Sequence, residues 1–485
     1  MNIFFNNSKI GLEEFDNNVK KLATVLRSKG LQAGGVVAIL LRNDVRQFEI
    51  IEACRYLEIS FVPLNWHATG SELQHILTDS GASVLIAHAD LASAAINELS
   101  EQVCILVYPT PENILVSYNI KKQEKTVLES RCEDMTTLLE NANPIATGIK
   151  PFRGIFSYTS GSTGRPKGIR RQVSQSQSDP YGVYEGLART LLKLEKGDRF
   201  YVSAPIYHSA PNALSLCCIA ARYADMYIEP KFDAEKFLAD IERYKITHTY
   251  IVPTMMIRLL KLPKEIKETY DISSLKFGIS SGSAWPADVK KAMIDWFGPI
   301  FYESYGASEI GFMTLISSEE AIKKPGSVGK ILSGGSIKIL DDDKNELAVG
   351  ESGSIYVYLP MFGDFVYTNS AENEPDERYQ GHTTVGDIGY VDAQGYLYIN
   401  DRKKDMIISG GANIFPAEIE AAMVEMPQIL DCAVFGIADK EFGEKVVAAV
   451  TCQVGYSLSL QQVHAFLDGK ISRFKYPRQL DLHDS

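Results

Sequence analysis

Tyr158-Thr159-Ser160-Gly161-Ser162-Thr163-Gly164-Arg165-Pro166-Lys167-Gly168 is the stretch on which the reading of this chain turns. It continues the apolar run Gly154-Ile155-Phe156-Ser157-Tyr158, which has the length of a buried strand, so a loop at a strand's end is predicted. Its three glycines allow tight backbone turns. The hydroxyls of Thr159, Ser160, Ser162 and Thr163, with nearby backbone N–H groups, can surround phosphate oxygens, and Lys167 adds a positive charge. The stretch is not a Walker loop. That pattern has Gly before the Lys and Ser or Thr after it, whereas Pro166 precedes Lys167 and Gly168 follows. Pro166 has no N–H to give a phosphate, so the cradle must use the hydroxyls and glycines upstream. A plain Ser/Gly linker does not account for Arg-Pro-Lys-Gly set against a strand.

Working outward, helix and buried strand alternate on both sides of this loop. Phe15, Val19, Leu22, Ala23 and Leu26 recur at helical spacing, and Lys29-Gly30 ends that helix. Val36 to Leu41 is a continuous apolar run of strand length, and Ile59 to Leu64 and Val84 to Ala87 read as further strands. A helix carrying Phe48, Ile51 and Tyr56 lies between the first two. This alternation predicts a parallel α/β sheet. Residues 118–133 are polar and read as a surface excursion. Beyond the loop, Arg199 to Ala204, His248 to Pro253 and Leu275 to Ser280 are further strands, and Asp233 caps a helix. From Gly329 to Tyr398 short strands split by Gly and Asp predict a small β-barrel. The charge cluster Asp401-Arg402-Lys403-Lys404-Asp405 marks the expected domain boundary, with residues 1–400 before it and 401–485 after.

Composition bounds the function. A chain of 485 residues, 45% hydrophobic and 23% charged, is globular and too long for one core. The net charge is 49 − 61 = −12, which argues against a nucleic-acid surface. No secretory leader is visible, and no apolar run approaches the ~18 residues of a membrane span. Seven scattered cysteines without CxxC predict reduced thiols and a cytoplasmic protein. The eight histidines form no ligand pair at metal spacing, so no structural zinc site is expected.

The loop, together with motifs that follow in order, closely resembles the adenylate-forming superfamily of acyl-CoA synthetases, peptide adenylation domains and luciferases. Tyr305-Gly306-Ala307-Ser308-Glu309 resembles its aromatic-Gly-x-Thr-Glu motif, with Ser308 in place of Thr. Gly386-Asp387 resembles its Thr-Gly-Asp, with Val385 in place of the Thr. Ala204-Pro205-Ile206-Tyr207-His208 resembles the segment that gates the acyl pocket, and Asp405 to Ile414 looks most like fatty- or aryl-acid CoA ligases. The fold this implies is α/β: a large N-terminal domain of two αβ subdomains and a small β-barrel, then a smaller mobile α+β domain.

The resemblance also implies a site. Residues Thr159, Ser160, Gly161, Ser162, Thr163, Gly164 and Lys167 would hold the phosphates of ATP, with Thr159 and Glu309 on Mg²⁺. Tyr305 would stack on adenine opposite Gly282, Ser283 and Ala284, with Glu303 and Ser304 beside the base and Gly306, Ala307 and Ser308 completing the turn. Asp387 would accept from the ribose hydroxyls, since a carboxylate offers two acceptors to a vicinal diol, and Arg402 would be the second ribose contact. Tyr207, His208, Ser209, Ser280, Ser281, Gly282 and Met313 would line the acid. No base is needed there, because a carboxylate is already ionised at neutral pH. Lys404 would be a hinge between half-reactions; Ser409, Gly410 and Gly411 would line the pantetheine tunnel, with Phe442 and Phe474 near coenzyme A.

The implied reaction is attack of a carboxylate on the α-phosphate of ATP, releasing pyrophosphate, followed by capture of the acyl group by coenzyme A. No Phe-Asp-x-Ser segment supplies an aspartate for an ammonium group, which disfavours amino acids. Two alternatives stand beside this one. The acceptor is a phosphopantetheinyl carrier protein, or the chain is an impaired binder of nucleotide or acyl-adenylate. A homodimer is compatible with the sequence. The family's Gly-Lys lysine, which reaches the substrate carboxylate, falls about ten residues beyond Ser485 on typical loop lengths. The expectation is that the protein continues there; the alternative is that it lacks this lysine.

Overall fold

The computed structural model describes residues 1–121, 131–159, 166–171, 181–283, 285–362, 364–368, 378–403, 405–409, 412–439, 442–453 and 455–483. The chain packs as two units. One comprises Met1–Ser283, Lys291–Phe312 and Leu359–Pro375; the other comprises Ala284–Lys290, Met313–Tyr358 and Asp376–Ser485.

In the first unit the apolar runs become two parallel sheets. Helix Leu12–Ser28 buries Phe15, Val19, Leu22, Ala23 and Leu26, the residues at helical spacing, together with Val25. Strands Ser60–Pro63, Val36–Leu40 and Val84–His88 are buried at every residue, as parallel strands covered on both faces must be. They lie in that order, followed by Cys104–Tyr108 and Cys132–Asp134, all parallel. The last strand corrects the expected excursion over 118–133. Its Glu133 and Asp134 are tolerated because an edge strand keeps a solvent side, and Asp134 caps helix Met135–Asn141. Residues 122–130 of that stretch lie outside the described residues.

The second sheet runs Phe301–Glu303, Phe277–Ser280, His248–Tyr250, Arg199–Val202, Asp225–Ile228 and Asn2–Phe5, again parallel. Asp233 caps helix Ala234–Tyr244 by accepting from the Lys236 N–H at 2.8 Å, as its sequence position predicts. The second sheet's strands Arg199–Val202, Phe277–Ser280 and Phe301–Glu303 thus end just before the motif segments that begin at Ala204, Ser281 and Tyr305, where open α/β sheets bind ligands. A third, antiparallel sheet places Lys167–Arg171 between Phe156–Thr159 and Phe365–Tyr367.

The second unit contains an antiparallel run in the order Ser336–Leu340, Gly353–Tyr358, Thr383–Val391, Leu397–Arg402, Ser327–Ile331 and Thr314–Ser317. This is the region read as a small barrel. Its other sheet is built on the long hairpin Ile429–Asp439 and Gly443–Cys452, with Gln479–His483 parallel to the second strand. Ile407, Ile419, Met423, Val446 and Val463 form the core of that part. Among the described residues no helix is long and apolar enough to cross a membrane.

Candidate active site

The strands flanking residues 160–165 pair antiparallel, with Thr159 opposite Lys167 and Tyr158 opposite Gly168. Gly168 is required by crowding. A Cβ there would meet Thr368 Oγ1 at 2.6 Å and the rings of Phe156 and Tyr158 at 2.8 Å. The Gly168 N–H donates to Thr368 Oγ1 at 3.1 Å, and the Thr368 N–H returns to the Gly168 carbonyl at 2.8 Å. Asp79 then ties both neighbours together, accepting from the Tyr158 hydroxyl at 2.6 Å and the Thr368 hydroxyl at 2.5 Å. Burial, with the Asp79 carboxylate second, holds the Tyr158 hydroxyl well above its ordinary range, so Tyr158 stays protonated and can donate to Asp79 at neutral pH.

Tyr367, opposite Ile169, donates its hydroxyl to Glu309 Oε1 at 3.1 Å, and Lys167 Nζ lies 5.9 Å from the centre of the Tyr367 ring. Glu309 and Lys167 therefore address the same tyrosine. Arg171, on the strand Lys167 begins, donates to the Ser308 carbonyl at 3.0 Å, and desolvation lowers the guanidinium's basicity. Ser308 Oγ lies 3.0 Å from Ser209 Oγ, one residue beyond His208. Tyr305 precedes the hairpin of Gly306–Ala307 with Gly311–Phe312; a Cβ on Gly306 would meet the Gly311 carbonyl at 2.5 Å. Ser280 and Glu303 are register partners on adjacent strands, and the Ser304 N–H donates to the Ser280 carbonyl at 2.9 Å. Ser280 Oγ is buried with no hydrogen-bond partner among the described residues, whereas the Ser281 carbonyl accepts from Tyr250 at 2.8 Å. Gly282 adopts φ +95°, a left-handed conformation glycine supplies without strain.

Tyr207 and His208 pack ring on ring at 4.1 Å, and Trp66 meets Tyr207 edge-on at 4.7 Å. His208 keeps part of its surface open, yet crowding by protein lowers its pKa, which favours the neutral ring near pH 7.

In the second unit Asp387 is buried opposite Arg402, whose Nε lies 3.6 Å from Asp387 Oδ1. The Lys403 N–H donates to the Gly386 carbonyl at 2.7 Å, and Asp401 accepts from the Ala417 N–H at 3.1 Å. Ser409 pairs with Gly443. Arg478 lies 3.8 Å over the Phe442 ring, Phe474 is 52% exposed, and Met313 is fully buried. Ser160, Gly161, Ser162, Thr163, Gly164, Ala284, Lys404, Gly410, Gly411 and the Thr159 side chain lie outside the described residues.

Sequence reasoning missed Asp79, Tyr367, Thr368 and Trp66. The contacts that matter span 289 residues for Asp79 and Thr368, and 58 for Tyr367 and Glu309, and no local pattern announces them.

Comparison with known proteins gives the family. The family model "AMP-binding enzyme" matches residues 3–362, and "AMP-binding enzyme C-terminal domain" matches residues 418–485. The chain is 29% identical over 465 residues to indoleacetate–CoA ligase of Aromatoleum aromaticum, covering 95% of this chain and 87% of that one. It is 30% identical over 479 residues to feruloyl-CoA synthase of an Amycolatopsis species, covering 97% and 89%. Among solved structures, ATP-bound MatB from Rhodopseudomonas palustris superposes with a TM-score of 0.80 at 27% identity, covering 99% of this chain and 90% of that one. The chain belongs to the AMP-binding enzyme family. Its class is that of the AMP-forming acyl-CoA synthetases, which bind ATP.

Proposed function

We propose that this enzyme activates a non-amino fatty or aryl carboxylic acid and passes it to coenzyme A, with the motif residues in the roles their positions suggest. The observation that supports it is the shared tyrosine: Tyr367 donates to Glu309 at 3.1 Å and its ring lies 5.9 Å from Lys167 Nζ, so the carboxylate assigned to the metal and the cation assigned to the phosphates address one side chain. Relatives named for indoleacetate and ferulate support an aryl acid.

Among the described residues no three His, Cys, Asp or Glu side chains group to hold a metal. Mg²⁺ on a nucleotide needs only one or two carboxylates, since phosphate oxygens complete its shell. Glu309 fits, being a hard oxygen donor whose hydrogen bond from Tyr367 occupies Oε1. Glu309, with Thr159, would hold Mg²⁺, which supplies charge neutralisation on the triphosphate. Lys167 and the hydroxyls and N–H groups of residues 159–164 bind the phosphates. Tyr305, Gly306, Ala307 and Ser308 face the base with Gly282, Ser283, Ala284, Glu303 and Ser304, and Asp387 and Arg402 hold the ribose. Tyr207, His208, Ser209, Ser280, Ser281 and Met313 orient the acid. The Ser280 hydroxyl, buried with no partner among the described residues, would donate to an acceptor on the ligand. A carboxylate oxygen then bonds to the α-phosphorus while the bond to pyrophosphate breaks. A thiol next attacks the acyl carbon and AMP leaves. Catalysis is positioning and charge stabilisation, not proton abstraction from the acid. Residues 401–485 act as the mobile domain, hinged at Lys404. Ser409, Gly410 and Gly411 with Phe442 and Phe474 receive the pantetheine arm.

A screen of amino, fatty and aryl acids for ATP–pyrophosphate exchange tests the substrate class. Fatty or aryl acids are expected to support exchange, and a preference for amino acids would refute the assignment. Competition between coenzyme A and a phosphopantetheinyl carrier protein then tests the acceptor.

A further inference from the structure

Ile206 sits one residue before Tyr207 in a turn closed by the His208 N–H on the Pro205 carbonyl at 3.2 Å. The Ile206 side chain is fully buried, and both its main-chain polar groups are bound by side-chain amides. Its N–H donates to Asn43 Oδ1 at 3.0 Å. Its carbonyl accepts from Gln47 Nε2 at 2.9 Å and from Asn212 Nδ2 at 3.0 Å. Asn43 also donates from Nδ2 to the Ala204 carbonyl at 2.9 Å and the Glu229 carbonyl at 3.0 Å, the ends of two strands of the second sheet. Asn43 is 0% exposed, and Gln47 and Asn212 are each 1% exposed. Turn backbone ordinarily satisfies itself with water. Here three buried amides do so, two of them carried by the segment that follows the strand Val36–Leu40 in the first sheet.

We propose that Asn43, Gln47 and Asn212 are positioning residues for acid recognition: an amide clamp on Ile206 that fixes the direction of Tyr207 and His208. This rests on the reading of Tyr207 and His208 as the acid-facing pair. Both planes of the Ile206 peptide are fixed by the clamp, and the second carries the Tyr207 N–H, so the clamp sets where the Tyr207 ring begins. Beyond it, the Asn212 N–H on the His208 carbonyl at 3.1 Å fixes the start of helix Ser209–Ala221. Trp66, which follows strand Ser60–Pro63 of the first sheet, meets the Tyr207 ring edge-on at 4.7 Å. The first sheet thus holds the acid-facing turn of the second through the backbone at Ile206 and through the ring of Tyr207. Apolar residues at positions 43, 47 and 212 could fill the same space but would leave the Ile206 N–H and carbonyl buried and unpaired.

Gln47→Glu tests this. The substitution keeps shape and turns a donor into an oxygen facing the Ile206 carbonyl. Gln47→Met, which removes the donor without adding charge, serves where Gln47→Glu folds poorly. Benzoate, phenylacetate, cinnamate, octanoate and palmitate are screened in exchange, and the two best acids are used. Loss of one buried pairing corresponds to about a ten- to hundredfold fall in kcat/KM for the acid, carried mainly by KM, with KM for ATP within about twofold. The preference between the two acids should narrow, which a change in folded fraction alone does not produce. Equal changes in acid and ATP kinetics, or an unchanged preference, in a variant that folds would overturn the clamp while leaving the function standing. Absence of acid-dependent exchange in the unsubstituted protein would remove the functional reading, and the clamp's role with it.

Discussion

At the scale of single residues the site depends on groups that hold other groups. Glu309 is legible in sequence because it ends a motif, but what aims it is the Tyr367 hydroxyl, from a strand whose sequence carries no such motif. Groups that orient a metal ligand typically change metal affinity by about 10–100-fold when removed. Tyr367→Phe keeps the ring beside Lys167 and removes only the donor. It should raise the Mg²⁺ concentration needed for half-maximal exchange about tenfold and leave KM for the acid unchanged, as a magnesium titration at saturating ATP would show. The glycines tell a similar story. Gly168 reads in sequence as one of three glycines that allow tight turns of the loop, whereas in the fold it is a close-packing position against Thr368, Phe156 and Tyr158.

At the scale of elements, the parallel strands were legible because burial on both faces demands unbroken apolar runs, as in Val36–Leu40 and Val84–His88. The short edge strand Cys132–Asp134 was not, since an edge tolerates the charges that make a segment look like a loop. One strand also carries a pH response. His248 is buried in His248–Tyr250, with Nδ1 2.8 Å from Thr247 Oγ1 and 3.7 Å from Asp198. Burial lowers its pKa to about 4 from 6.5; Asp198 opposes the shift and Lys276 reinforces it. Between those values the unfolded chain binds a proton that the folded chain refuses. Its neutral-state contribution is therefore whole above about pH 6.5 and is lost as pH falls towards about 4. Denaturant midpoints measured across that window should fall more steeply for the unsubstituted protein than for His248→Gln. Parallel curves would contradict the assignment.

At the scale of the whole molecule, the order of motifs made the family legible, while the pairing of distant segments did not, because pairings such as Asp79 with Thr368 have no local signature. The proposed hinge belongs to this scale. The Lys403 N–H is held by the Gly386 carbonyl just before the proposed hinge, and the Asp401 side chain accepts from the Ala417 N–H beyond it, so rotation at that hinge would have to release the Asp401–Ala417 bond. Proline fixes φ, so Lys404→Pro should slow thioester formation from supplied acyl-adenylate more than it slows acid-dependent pyrophosphate exchange. Single-turnover assays of each half-reaction separate the two, and equal losses would count against a hinge there.

The central claim is that a carboxylate oxygen bonds to the α-phosphorus of ATP and stays with AMP when the acyl group leaves. The most direct measurement supplies the best acid of the screen labelled with ¹⁸O in both carboxylate oxygens, with ATP, Mg²⁺ and coenzyme A, and analyses the products by mass spectrometry. The account predicts acyl-CoA and an AMP that carries a single ¹⁸O, with unlabelled pyrophosphate. Unlabelled AMP, or label in inorganic phosphate with ADP as co-product, would contradict it.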